Sequence, residues 1–193
     1  MKTLPAPTIS LDGLRVISRM RRNALYKVPA KASAAVRAQI ERHNLRAKER
    51  AAKLAAERAA KNAKTAEAAA TVKVGDVFSM SWGYDQTNVD FFQVVAKVGK
   101  TSVRIRQVCP PIVAQQASGP MAANYVYEIP GNGELLPPCR GSVFIRDQVN
   151  GDVKRVSDSC FRDEVRPCIK MRSYAWAYPE KPGESKHYVS WYA

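Results

Sequence analysis

No two of the four cysteines, Cys109, Cys139, Cys160 and Cys168, stand in a C-x-x-C pair, and His43 and His187 are the only histidines. A structural zinc site needs four soft ligands at short spacing, so no metal is expected. The stretch MKTLPAPTISLDGLRVISRM lacks the sustained apolar core of a secretory leader. Four isolated thiols without such a leader fit a reducing cytoplasm. No run of about 18 apolar residues occurs, which argues against a membrane-spanning helix. Neither a G-x-S-x-G turn, a Walker loop, a dinucleotide fingerprint nor a metal-ligand spacing is present. These absences weigh against an enzyme, and no catalytic residue or cofactor is expected.

What is abundant is positive charge, +14 over 193 residues. Residues 1–71 carry 16 Lys and Arg against 5 Asp and Glu, while residues 72–193 carry 15 against 12. The basicity therefore belongs to the first third of the chain. Such an excess attracts polyanions: nucleic acid, an anionic membrane surface or an acidic protein.

Three segments follow from the composition. In residues 1–32, Leu11, Leu14, Ile17 and Met20 recur at spacings of three, and Ala24 and Leu25 continue that face. This pattern predicts a short amphipathic helix capped by Ser10 or Asp12, crowded by Arg15, Arg19, Arg21 and Arg22. Residues 33–71 contain neither proline nor glycine and are rich in alanine, arginine, lysine and glutamate, the strongest helix formers. Glu49–Lys53 and Glu57–Lys61 are favourable i,i+4 pairs. Val36, Ile40, Leu45 and Leu54 are too sparse for a coiled-coil seam, so one long, largely solvated helix is expected. Its role is either a solubilising spacer or a basic arm, with Arg42, Arg46, Lys48, Arg50 and Lys53 as phosphate contacts.

In residues 72–193 β-branched and aromatic residues take over. VKVGDVFSMSW, DFFQVVAKV and SVRIRQV read as three strands of a meander, the second with both faces partly apolar. A strand over Tyr125–Ile129 follows. The sequence VFIRDQVNGDVKRV predicts a hairpin turning at Asn150-Gly151. SYAWAY and HYVSWYA predict an aromatic hairpin around PEKPGES. The sum is six to eight short antiparallel strands, which close into a small barrel (SH3-like or OB-like) or a sandwich to remove their edges. The fold class is α+β. Arg104 and Arg106 on one strand, with Lys154 and Arg155 on another, are candidates for a basic wall.

The loop SWGYDQTNVD, between the first two strands, is open to two interpretations. Glycine, Asp and Asn suit a turn. As a ligand or partner contact, Trp82 and Tyr84 would offer stacking faces, and Asp85, Gln86, Asn88 and Asp90 would offer hydrogen-bonding groups.

The string VGDVFSMSWGYDQTNVDFFQVVAKVGKTSVRIRQV (74–108), with VKRV at 153–156 and the SYAWAY…HYVSWYA ending, resembles a largely uncharacterised group of small proteins encoded by phages and mobile elements. In that group a GD-x-F…SWGYDQTN-x-D-F-Y-QV core recurs with a C-terminal aromatic hairpin. Phe92 stands here in place of the group's Tyr, and PEKPGES is richer in proline than the group's turn. The resemblance covers about residues 72–193. It implies a phage or mobile-element cytoplasmic protein acting on host defence or nucleic-acid metabolism, and it carries no reaction. The expected function is a nucleic-acid-binding accessory protein, for DNA or RNA. The alternatives are a module that inhibits a host defence complex by binding an acidic host protein, and a virion component contacting the genome.

Overall fold

The computed structural model describes residues 22–131, 133–159 and 165–191. The helix expected around Leu11–Met20, with Arg15, Arg19 and Arg21, lies outside these residues, as do Cys160 and Tyr192. Two compact units are formed, Met1–Lys61 and Asn62–Ala193. The division falls inside the long helix α1 (Ala34–Thr71), not at its end.

In the first unit α1 starts at Ser33, whose hydroxyl accepts from the Val36 amide at 3.4 Å. The helix is not solvated all round. The residues preceding it fold back as an extended strap, where a continuation of the amphipathic helix was expected at Ala24 and Leu25. Helix side chains bind the strap's carbonyls in alternation. Arg50 donates to the Arg22 carbonyl, His43 Nε2 lies 3.1 Å from the Ala24 carbonyl, and Arg37 donates to those of Ala30 and Ala32. Asn44 clamps Tyr26 at both backbone groups, at 2.9 and 2.8 Å. An extended segment has no hydrogen bonds of its own, so the helix side chains supply them. Ile40 and Ala47 are buried on the same side.

Among the described residues, the second unit contains the last turns of α1 and nine strands: β1 (Val77–Trp82), β2 (Asn88–Lys97), β3 (Ser102–Val108), β4 (Ile112–Gly119), β5 (Ala122–Ile129), β6 (Asp152–Ser159), β7 (Arg166–Lys170), β8 (Trp176–Pro179) and β9 (Gly183–Ser190). Strands β1-β2-β3-β6-β7-β8 form a closed barrel, and β4-β5-β9 form a separate three-stranded sheet. All pairings are antiparallel. The α+β class with a barrel is thus observed, and the sandwich is not.

Three local expectations are corrected. First, β8 pairs with β1 and β7, whereas β9 pairs with β5, so the aromatic segments do not form a hairpin. PEKPGES carries the chain from the barrel to the small sheet. Second, Val143–Ile145 is not a strand. The Ser142 hydroxyl accepts from the Phe144 and Ile145 amides, and both apolar side chains turn into the barrel core. Third, Cys109 and Cys139 are joined by a disulfide across a separation of 30 residues. With this pair bonded, cysteine usage no longer argues for a reducing compartment.

The core has two parts. Phe78, Met80, Phe92, Val94, Val103, Ile105, Val156, Ile169 and Ala177 fill the barrel, joined by Ala69 and Val72 from the end of α1 and beyond. Outside the barrel, Val77, Phe91, Val108 and Ile129 pack beneath the small sheet. Strand β2 is therefore covered on both sides, which is why FF runs through it without alternation. Among these apolar groups Gln93 is fully buried. Its amide donates to the carbonyls of Gly75 (3.0 Å) and Glu134 (2.6 Å) and accepts from the Leu136 amide (2.8 Å). Replacing it with Leu keeps the volume and strands these backbone groups. Gln93→Leu is expected to cost about 2–4 kcal/mol, read as a fall in the urea unfolding midpoint.

Candidate functional site

The turn between β1 and β2 is built around Gly83, at φ 124°. A Cβ there would stand 1.8 Å from the Gln86 carbonyl oxygen, so only glycine fits. Beyond the turn, the Thr87 amide donates to the Ser190 hydroxyl at 2.9 Å, and the Ser190 amide donates to the Thr87 carbonyl at 3.1 Å. The loop is thus pinned to the end of β9.

Its side chains divide between scaffold and surface. The Trp82 indole N–H donates to Asp90 Oδ2 at 2.5 Å, and Gln107 Nε2 donates to Oδ1 at 2.8 Å. Burial raises the Asp90 pKa against the lowering effect of these two bonds. Asp90 therefore holds the indole in place, each of its oxygens accepting one of these bonds. Trp82 also meets Phe144 edge-on, with ring centroids 5.3 Å apart. Gln86 and Asn88 lie 3.5 Å apart through their side-chain amides, and Asp85 is exposed. The Tyr84 ring is wholly in solvent.

Barrel closure sets β1 beside β8, with Ser79 opposite Tyr178. The end of β1 therefore meets the turn that precedes β8. There Ser81, Trp82, Gly83 and Tyr84 form a cleft with Tyr174 and Ala175. Tyr174 was expected on a strand with Trp176 and Tyr178; it sits instead in the turn leading into β8. Of SYAWAY only Trp176–Tyr178 alternates as a strand, with Ala177 fully buried.

The basic wall does not form as one surface. Val103 lies opposite Lys154 and Ser102 opposite Arg155, so Lys154 and Arg155 face opposite sides of the sheet. Lys154 pairs with Asp152 at 3.5 Å. Arg106 donates to the Leu136 carbonyl at 2.8 Å, and Arg104 to the Gly151 carbonyl at 3.2 Å. These two arginines fasten neighbouring loops. On α1, Arg42, Arg46, Lys48 and Lys53 are exposed, whereas Arg50 is drawn into the strap. At 3.6 residues per turn, Arg42, Arg46 and Lys53 share one side of the helix, interleaved with Glu49 and Glu57.

At the other end of the β1–β8 seam is a polar cluster absent from the sequence expectations. Glu180 accepts from the Ser79 hydroxyl and from Ser185 (2.5 Å), and His187 Nε2 lies 3.3 Å from Glu180 Oε1. Ser185 Oγ is also 3.0 Å from His187 Nε2. This is not a nucleophilic triad, because the carboxylate meets the same imidazole nitrogen that faces the serine. Burial opposes the charge on Glu180. The bonds from His187, Ser185 and Ser79 outweigh it and hold the pKa at about 2. Among the described residues no three His, Cys, Asp or Glu gather as a metal site would need, and no helix is long and apolar enough to cross a membrane.

No family model matches the chain, and neither the curated proteins nor the solved structures contain a match.

The depressed Glu180 pKa sets a pH dependence. Its stabilisation is complete above the ordinary value of 4.5 and is lost as pH falls toward about 2. Urea midpoints measured from pH 6 down to pH 2.5 should decline for the native chain. Glu180→Gln should start about 2 kcal/mol lower and show a flatter acid limb.

Proposed function

We propose that the chain is a nucleic-acid-binding accessory protein of phage or mobile-element type. The observation that carries this is the concentration of charge: +11 of the +14 lies in residues 1–71. Lysines and arginines on an exposed helix displace counterions from phosphates, which supplies affinity without sequence preference. Arg42 to Lys53 span about 16 Å at 1.5 Å per residue, enough to follow several phosphates. The phage assignment rests on the resemblance of residues 74–108 and of the aromatic ending. A small SH3-like barrel belongs to the same reading. The order β1-β2-β3-β6-β7-β8 is a meander, unlike the Greek-key order of an OB barrel. A virion component contacting the genome would use the same arm.

A second reading, inhibition of a host defence complex, has one observation in its favour. The edge strand β4 is exposed at every residue and carries no charge. Such an edge can accept a partner's strand.

The test is a salt titration of binding to DNA and RNA. Cutting the chain at residue 72 would remove Ala69 from the barrel core, so neutralisation is the cleaner variant. For Arg42→Gln/Arg46→Gln/Lys48→Gln/Lys53→Gln, the slope of log K against log salt is expected to become shallower by about 3. An unchanged slope would remove the arm from the interface.

A further inference from the structure

The cleft at the end of the β1–β8 seam holds side chains that the fold does not use. Tyr84 is 101% exposed and Tyr174 76% exposed, so neither ring contributes much buried surface. Both stand at one cleft of about 480 Å³. Trp82 lines the same cleft and is fixed in orientation by Asp90 and Phe144. Three aromatic side chains, one of them locked, thus line one open cleft of ligand size.

The charge around the cleft selects the occupant. Among the described residues no charged one lines it, and Asp85, which follows Tyr84, is outside the lining. Arg172, two residues before Tyr174, is outside the lining too; its guanidinium donates to the Val143 carbonyl and lies 5.6 Å from the Phe144 ring centroid. A cleft whose described lining is uncharged and aromatic suits a flat base, and the excess of Lys and Arg in residues 1–71 suits the phosphates attached to it. In a duplex the bases are already stacked on each other. An unpaired base can leave its neighbours and enter.

We propose that Trp82, Tyr84 and Tyr174 form a stacking cleft for an unpaired base, which makes single-stranded nucleic acid the preferred ligand. This rests on the nucleic-acid reading above and adds to it a strand preference and a site. Tyr174 is the new member, brought to the loop only by barrel closure.

The full chain is tested by fluorescence anisotropy with a labelled mixed-sequence single strand, as DNA and as RNA, and with the DNA duplex. Both tyrosine side chains are exposed, so Tyr84→Ala/Tyr174→Ala should fold normally, checked by its urea midpoint. Single-strand affinity is expected to fall roughly tenfold or more, with the salt slope and duplex binding unchanged. Tyr84→Phe/Tyr174→Phe, which keeps the rings, should bind as the native chain does. Equal single-strand binding by the Ala variant and the native chain would overturn the cleft and leave the charged arm standing. No binding of any oligonucleotide by the native chain at physiological salt would overturn both.

Discussion

The pairing of β1 with β8 is the contact on which the second unit depends. It joins Phe78 to Pro179 and Ser79 to Tyr178, across about half the chain. Closing the barrel there leaves no free edge in the six-stranded sheet. It also fixes what stands at each end of the seam. At one end Glu180 gathers two serines and a histidine and ties the barrel to β9. At the other, the rigid Gly83 turn is brought against Tyr174, and the aromatic cleft appears. Ser79 reaches Glu180, and Tyr174 reaches the Gly83 turn, only through closure, because these partners are far apart in sequence.

The two units contribute different physics. The first is a helix whose polar side chains bind an extended strap through its carbonyls, leaving other cations in water. Affinity from such a surface is electrostatic, long-ranged and weakened by salt. The second unit is nearly neutral and densely packed. What it presents is shape: flat rings in one cleft and an uncharged edge in β4. In the proposed function the arm supplies strength and the cleft supplies the preference for strand type.

The features legible in the sequence were those that local chemistry determines. Alanine-rich residues 33–71 had to be a helix. The meander of β1, β2 and β3 followed from β-branched runs and short turns, and the double apolar face of β2 was visible in DFFQVV. Misplaced features were those that tertiary contacts decide. Phe144 and Ile145 have strand propensity, but Ser142 holds them in a turn that fills the barrel. The aromatic segments on either side of PEKPGES look like a hairpin, yet each finds a better partner elsewhere. Strand β4 was missed because its Gln- and Ala-rich sequence lacks β propensity. Within the candidate site, Trp82 and Tyr84 were recognisable as a pair of aromatics at a turn, but not that Trp82 would be half-buried at the end of β1 while Tyr84 stands in solvent. Adjacent positions on one strand already make Lys154 and Arg155 face opposite ways; the bonding of Asp90 to Trp82 and Gln107 and the arrival of Tyr174 depended on register and closure. A local pattern does not specify these.

The measurement that bears most directly on the account is photo-crosslinking of a short single-stranded oligonucleotide to the full-length chain, with the adducts mapped by peptide mass spectrometry. Adducts are predicted on Tyr84 or Tyr174, together with lysines of the helix between Lys48 and Lys64. Adducts confined to β4 or spread evenly over the barrel, with none in the cleft or on the helix, would contradict it.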